Sequence, residues 1–217
     1  MLIAVTTPIP MFNCPTRREA RTYPLVRNGN LANNLTECSA PNCQVARSDY
    51  QANSGNIAAG ETGGPGGNRQ TEVIPSAYTD NWNGITQHVS ELRLGQIEDG
   101  TSKTICVGEK YLNPDRYVDG QDAADDQNIF LGIDRDVNGY TASATRSSTN
   151  PQPVAEYLPR RDRPGLGLNW TFGSAHNAVF NCVFVDGHVE SIEYGVDYLV
   201  FWGMGGRDDG AIATINR

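Results

Sequence analysis

The chain has 217 residues, 38% of them apolar, with 23 glycines and 12 prolines. That suits one mainly β unit with long insertions better than a helical bundle. Its net charge of −8 excludes nucleic acid and anionic lipid as main partners, since neither would find a basic surface. No apolar run approaches the roughly 18 to 20 residues of a membrane span.

Residues 1–5 are too short for a signal peptide and carry neither a basic start nor a cleavage site. Residues 11–26 read as an extended segment entering a loop, with one helical turn at 16–21. The stretch 28–45, rich in Asn, Gly and Ser, reads as irregular. Five cysteines, Cys14, Cys38, Cys43, Cys106 and Cys182, fit an oxidising compartment with one or two disulfides and one thiol left over. A bridge from Cys14 to Cys38 or Cys43 is preferred, because these positions flank an Arg-rich loop with little core of its own. Spacing does not decide connectivity. The competing reading is a zinc site on Cys38-x4-Cys43 with Cys14 and a histidine, although His88, His176 and His188 all stand far off in sequence.

Residues 48–55, SDYQANSG, read as a turn held by Asp and Asn side chains. Insertion 55–76 follows, Gly-rich up to Asn68; its GGPGG lacks the Lys-Ser/Thr of a phosphate loop, so nucleotide binding is set aside. Residues 88–97 form an imperfect strand pattern through Val89, Leu92 and Leu94. Asp99-Gly100 marks a turn, and 103–111, KTICVGEKY, reads as a second strand. Alternation there sends Ile105 and Val107 to one face and Cys106 and Gly108 to the other. Gly108 marks a bulge or a close backbone approach, and Glu109 and Lys110 mark a solvated end where an edge-charge or hydrogen-bonding role suits the Glu.

The stretch 113–136 concentrates acid: Asp115, Asp119, Asp122, Asp125, Asp126, Asp134 and Asp136 meet only Arg116 and Arg135, the pattern of a solvated loop. Asp134-x-Asp136-x-Asn138-Gly139 occupies positions 1, 3, 5 and 6 of a calcium loop. Position 12 holds Thr145 rather than a bidentate Glu, so a calcium site needs a carboxylate from Asp122, Asp125 or Asp126. A plain Asp/Asn/Gly turn is the other reading. No cofactor is required, and calcium is the one that Asp134, Asp136 and Asn138 admit.

After a polar, proline-bearing connection at 141–164 comes the clearest signal, 172–192, FGSAHNAVFNCVFVDGHVESI. Runs 180–185 and 188–192 flank Asp186-Gly187, the dipeptide of a two-residue hairpin turn. That register sets Phe184 opposite Val189 and Val183 opposite Glu190. It turns Phe180, Cys182, Phe184 and Val189 to the core, and Val183, Val185, His188 and Glu190 outward. Residues 195–204 read as a short helix capped by Asp197, with Val196, Val200 and Trp202 or Leu199 inward.

His176 stands ten residues before Asp186, giving H-x9-D-G after FGSAH. Upstream lie I-x-D-G-T-S-x-T-I-x-V-G-E-K at 97–110, D-Y-x-x-N-x-G at 49–55, D-x-P-G at 162–165 and the closing RDDG at 207–210. On these motifs the chain resembles the bacterial prepilin-type family with a C-terminal H-x9-DG motif, a domain of unknown function akin to type II secretion pseudopilins. The resemblance implies an α+β, mainly β fold: a twisted antiparallel sheet from 89–94, 105–111 and 180–192, with long loops and little helix. It is expected to be one pseudopilin-like domain over 1–217, with insertions near 28–45, 55–76 and 113–165. Relatives are expected to begin with a cleaved leader and a long apolar helix. Here the segment beginning at Pro8 already resembles one well inside such proteins, and the expectation is therefore a helix either truncated or lost. Without it, an apolar strip involving Ile105, Val107, Phe180 or Phe184 is expected to be uncovered. The implied role is a non-enzymatic structural or interaction subunit of a type II secretion or pilus-like envelope system, extracytoplasmic, with other envelope proteins as partners. The alternative is a secreted, calcium-stabilised module that binds glycan or protein.

An enzyme reading has to rest on Ser174, His176 and Asp186, but no nucleophile elbow or zinc-protease helix accompanies them. His176, Asp186, Gly187, Asp99, Gly100 and Glu109 are therefore read as architectural. For His176 the expectation is either a pair with the Asp197 carboxylate or an exposed loop position.

Overall fold

A computed structural model describes residues 2–26, 38, 42–57, 82–87, 90–142, 154 and 156–211. The expected insertion 28–45 therefore lies largely outside the described residues, as do His88, Val89, Thr145 and most of 55–76. The fold is α+β, mainly β. It opens on the short helix α1 (Leu2–Thr6) and a 3-10 turn at Pro10–Phe12. A small antiparallel pair follows, β1 (Thr22–Pro24) with β2 (Gln44–Ala46). Val45 and Leu25 pack there with Val5 and with Cys38 and Cys43, which are joined as a disulfide. Cys14 is thus free, which corrects the preferred bridge and removes the Cys38/Cys43 zinc reading.

The main sheet contains β3 (Tyr50–Asn53), β4 (Ile105–Glu109), β5 (Asn138–Gly139), β8 (Val179–Phe184) and β9 (Val189–Glu193), in the order β5-β3-β4-β8-β9. All neighbours are antiparallel except β5, which joins β3 in parallel. A second small parallel pair, β6 (Arg160–Arg161) and β7 (Gly173–Ser174), leads into the hairpin. Two expectations are corrected here. Within 48–55, Tyr50–Asn53 is a strand, held inside where Asn53 Nδ2 donates to the carbonyls of Ile105 and Gly205 at 2.8 and 2.9 Å, and the Asn-held turn is confined to its end, where Asn53 Oδ1 accepts from Gly55 N. The described part of 88–97 is not a strand. It holds a 3-10 turn at Leu94–Gln96 with Leu94 exposed, its backbone tied by Arg93 N donating to Gln96 Oε1.

The hairpin is present, but its register is shifted by one residue. Gly187 N donates to Phe184 O, Phe184 N donates to His188 O, and only Gly187 has positive φ, at 91°. This is a three-residue loop closed by a left-handed glycine, not a two-residue turn with positive φ at both positions. Val183 consequently faces Val189, Cys182 faces Glu190 and Phe180 faces Ile192. A slip of one residue exchanges faces, so Val189 is 70% exposed and Ile192 is buried. The bulge in β4 lies between Ile105 and Val107, sending them to opposite faces. Gly108 is the place of close approach: a Cβ there would stand 2.8 Å from the Phe172 ring.

One sheet face is closed by α2 (Tyr198–Gly203). Asp197 caps it, Oδ1 accepting from Leu199 N and Val200 N. Phe201 is its buried anchor, with Met204 just beyond its end; Val196 and Val200 pack half-buried on the same core, as expected, while Leu199 is exposed. Phe201 meets Phe172 and Phe180 edge-on at ring separations of 6.1 and 6.0 Å, a favoured aromatic geometry. Ile105, Cys182, Phe184 and Ile192 complete this core.

Candidate functional site

The acidic stretch is a solvated loop only at Asp115, Arg116 and Asp119. Asp122, Asp125, Asp126, Asp134 and Asp136 are buried, and so is Lys110, which corrects the reading of a solvated end after β4. The compensating cations arrive from elsewhere in the chain. Arg18 grips Asp125 through two bonds of 2.5 and 3.0 Å and reaches Asp49 at 2.7 Å. Lys110 Nζ donates to Asp125 Oδ1 and to the carbonyls of Ala124 and Asp136. Arg17 bonds Asp162 at 2.8 Å. Burial opposes the charge on Asp125, yet Arg18 and Lys110 hold its carboxyl well below the usual range. Burial likewise drives the Asp136 carboxyl upward, against Lys110 and Arg47.

Within this polar interior three donor atoms from distant segments converge. Cys14 follows the 3-10 turn; its N–H donates to Asp49 Oδ2 at 2.8 Å, and its carbonyl accepts from Arg17 N and Arg18 N. Glu109 ends β4 and is buried. Its Oε2 accepts from the Asn181 backbone and side-chain N–H groups at 2.7 and 3.0 Å, leaving Oε1 aimed elsewhere. His176 sits past β7, its N–H donating to Ser174 Oγ and its carbonyl accepting from Tyr194 OH. His176 Nε2 lies 3.2 Å from Glu109 Oε1 and 3.8 Å from Cys14 Sγ. One ligand atom from each residue lies within 4.8 Å of the other two. The imidazole is about a third exposed, so solvent reaches the cluster from its side. Burial pushes the Cys14 thiol above its ordinary pKa.

His176 therefore pairs with Glu109, not Asp197, which is committed to capping α2. The triad residues do not assemble. Asp186 Oδ1 accepts from His188 N and meets His188 Nδ1 at 2.6 Å, while Ser174 Oγ is tied to Val179 O and Tyr194 OH. Thiol and carboxylate also face the same ring nitrogen, whereas a nucleophile–base–acid relay uses the two nitrogens separately. Asp99 lies elsewhere and accepts from the N–H groups of Asp209 and Gly210; Gly100, at φ 104°, is the turn glycine beside it.

One oxygen of each side chain in the calcium-like segment is engaged by the chain itself, while Asp136 Oδ1 is buried without a hydrogen-bond partner. Asp134 Oδ1 accepts from Asp136 N, Asn138 Oδ1 accepts from Asp134 N, and Asp136 Oδ2 accepts from Gln127 N at 2.7 Å. Among the described residues, Cys14, Glu109 and His176 form the cluster of three or more potential metal donors. The residues that sequence reading missed are the supporting ones: Asn181, Asp49, Tyr194 and Thr16, whose Oγ1 lies 3.1 Å from Cys14 Sγ. Alternation placed Asn181 outward beside Val183 and offered no signal for its partner.

Fold and site together define a small sheet domain whose polar interior ties its N-terminal segment to the strand ends. The chain belongs to the family described as "Protein of unknown function (DUF1559)", whose model matches residues 2–199. No curated protein and no solved structure matches it.

Proposed function

We propose that this is a non-enzymatic, extracytoplasmic, pseudopilin-like domain, a structural or interaction subunit of a type II secretion or pilus-like envelope assembly. The observation that carries this reading is the sheet face opposite α2. Ala52, Val107, Val183 and Val189 stand in register across β3, β4, β8 and β9, each half-buried or exposed. Beside them lies an open groove of about 330 Å³ lined by Met11, Phe12, Tyr50, Ala52, Val107 and Val183 together with the polar Ser48 and Gln51, with Met11 76% exposed. An apolar strip on one sheet face suits the packing of an apolar helix, which a pseudopilin-like subunit supplies. Of the strip residues expected from sequence, only Val107 lies here; Ile105, Phe180 and Phe184 are buried on the α2 side. Among the described residues no helix is long and apolar enough to cross a membrane, so that helix has to come from outside them. The disulfide adds weak support for an oxidising compartment.

The test uses the gene in its genomic setting. The reading frame extended upstream is expected to encode a prepilin-type leader followed by an apolar helix. The full protein carrying Val183→Lys is expected to lose co-purification with pilin-type partners, while the isolated domain changes stability by no more than about 1 kcal/mol. A frame closed by a stop codon just before Met1, with the domain released as a free monomer, overturns the reading.

A further inference from the structure

We propose that Cys14, Glu109 and His176 bind one zinc ion, with a fourth coordination position open on the His176 side. Zinc takes thiolate, imidazole and carboxylate donors at about 2.0–2.3 Å in tetrahedral array, which sets neighbouring donors about 3.4–3.6 Å apart. The separations here, 3.2 Å between Nε2 and Oε1 and 3.8 Å between Nε2 and Sγ, bracket that edge length. The competing account is a plain hydrogen-bonded cluster, in which Cys14 Sγ also lies 3.1 Å from Thr16 Oγ1. A ring nitrogen offers one proton or one lone pair, and here a single Nε2 faces both a thiol and a carboxylate. A cation at their centre satisfies all three.

The charge count agrees. Glu109 is buried, and its partners are Asn181, His176 and the Cys14 thiol. A buried carboxylate without a fixed cation is costly. Carboxylate, thiolate and a divalent ion with neutral imidazole sum to zero. The donors are also braced as metal ligands are: Asn181 holds the far carboxylate oxygen, Ser174 Oγ holds the His176 backbone, and Asp49 holds the Cys14 N–H. The mixed sulfur, nitrogen and oxygen set favours zinc over calcium or magnesium, which prefer oxygen alone. The site would clip residue 14 to β4 and to the 176 loop, and it does not depend on the envelope-assembly reading.

The experiment is a titration of the oxidised protein, with Cys38–Cys43 closed, first with cobalt(II) and then with zinc(II). One equivalent of cobalt is expected, with a sulfur-to-cobalt charge-transfer band and the visible bands of four-coordinate cobalt, both erased by zinc. Cys14→Ser should remove the charge-transfer band. His176→Ala, at a partly exposed position and therefore safe for folding, should weaken binding at least tenfold, as should Glu109→Gln. Cys106→Ser should match the parent protein. A parent protein that takes up no cobalt, or whose cobalt spectrum and affinity survive both Cys14→Ser and His176→Ala, overturns the proposal.

Discussion

Gly108 and Asp125 show how little room single residues have. A methyl group at position 108 would press on the Phe172 ring at 2.8 Å, and Phe172 is itself wedged against Phe180 and Phe201. Gly108→Ala is expected to cost about 1–3 kcal/mol by overpacking, read as a lowered denaturation midpoint. Asp125→Asn leaves Arg18 and Lys110 facing a neutral amide in a buried site and should cost about 3–5 kcal/mol. Asp125 also gives the molecule an acid limb. Its folded pKa is depressed, so its stabilisation is present above the unfolded value of about 3.9 and is lost as pH falls toward the folded one. Burial raises Asp122 and Asp136, whose contribution has the opposite sign: it is present at low pH and lost as pH rises through their folded values. Asp125→Asn should therefore lose less stability than the parent protein between pH 4 and more acidic conditions, measured by urea unfolding across that range. The close approach at Gly108 is legible in the sequence as a glycine inside a strand pattern, but the buried acid is not. A run of aspartates with two local arginines looks solvated, and the cations that compensate its buried part come from positions 18, 47 and 110.

The hairpin is the element that sequence located best and registered wrongly. Asp186-Gly187 and the flanking apolar runs suffice to place two strands. They do not decide between a turn with two left-handed residues and a loop with one, and that choice decides which of Val189 and Ile192 enters the core. Asp186 keeps negative φ, and His188 stacks on Phe184 at 4.5 Å. Truncation tests the register directly: Ile192→Ala should cost about 2–5 kcal/mol, while Val189→Ala should stay within about 0.5 kcal/mol. The opposite order would restore the two-residue turn. For α2, cap and span were legible from Asp197, but Phe201 was missed. The short apolar run YLVFW offers several inward faces, and only packing against Phe172 and Phe180 selects one. Phe201→Ala should cost about 3–5 kcal/mol, seen as a drop in the thermal midpoint.

Across the whole molecule, fold class followed from composition and turn chemistry, whereas the assembly of the interior did not. Local pattern makes position 14 half of a disulfide or a zinc ligand beside Cys38 and Cys43, position 109 an edge charge or hydrogen-bonding group, and position 176 a partner of Asp197 or an exposed loop residue. Each residue was noticed, but the meeting of the three depends on strand order, which no local pattern encodes. The same holds for β3: D-Y-x-x-N reads as a turn until Asn53 is seen bonding two buried carbonyls.

The ionic bonds that matter most here are hidden from the solvent. Arg17, Arg18, Asp49, Asp125 and Lys110 have nearly no exposed side-chain surface. Mobile counter-ions screen exposed charges within about 3 Å at 1 M ionic strength but reach buried pairs far less. With a surplus of negative charge left on its outside, the domain should hold or raise its melting temperature in concentrated sodium chloride. A protein built around salt bridges is in this case one that tolerates brine.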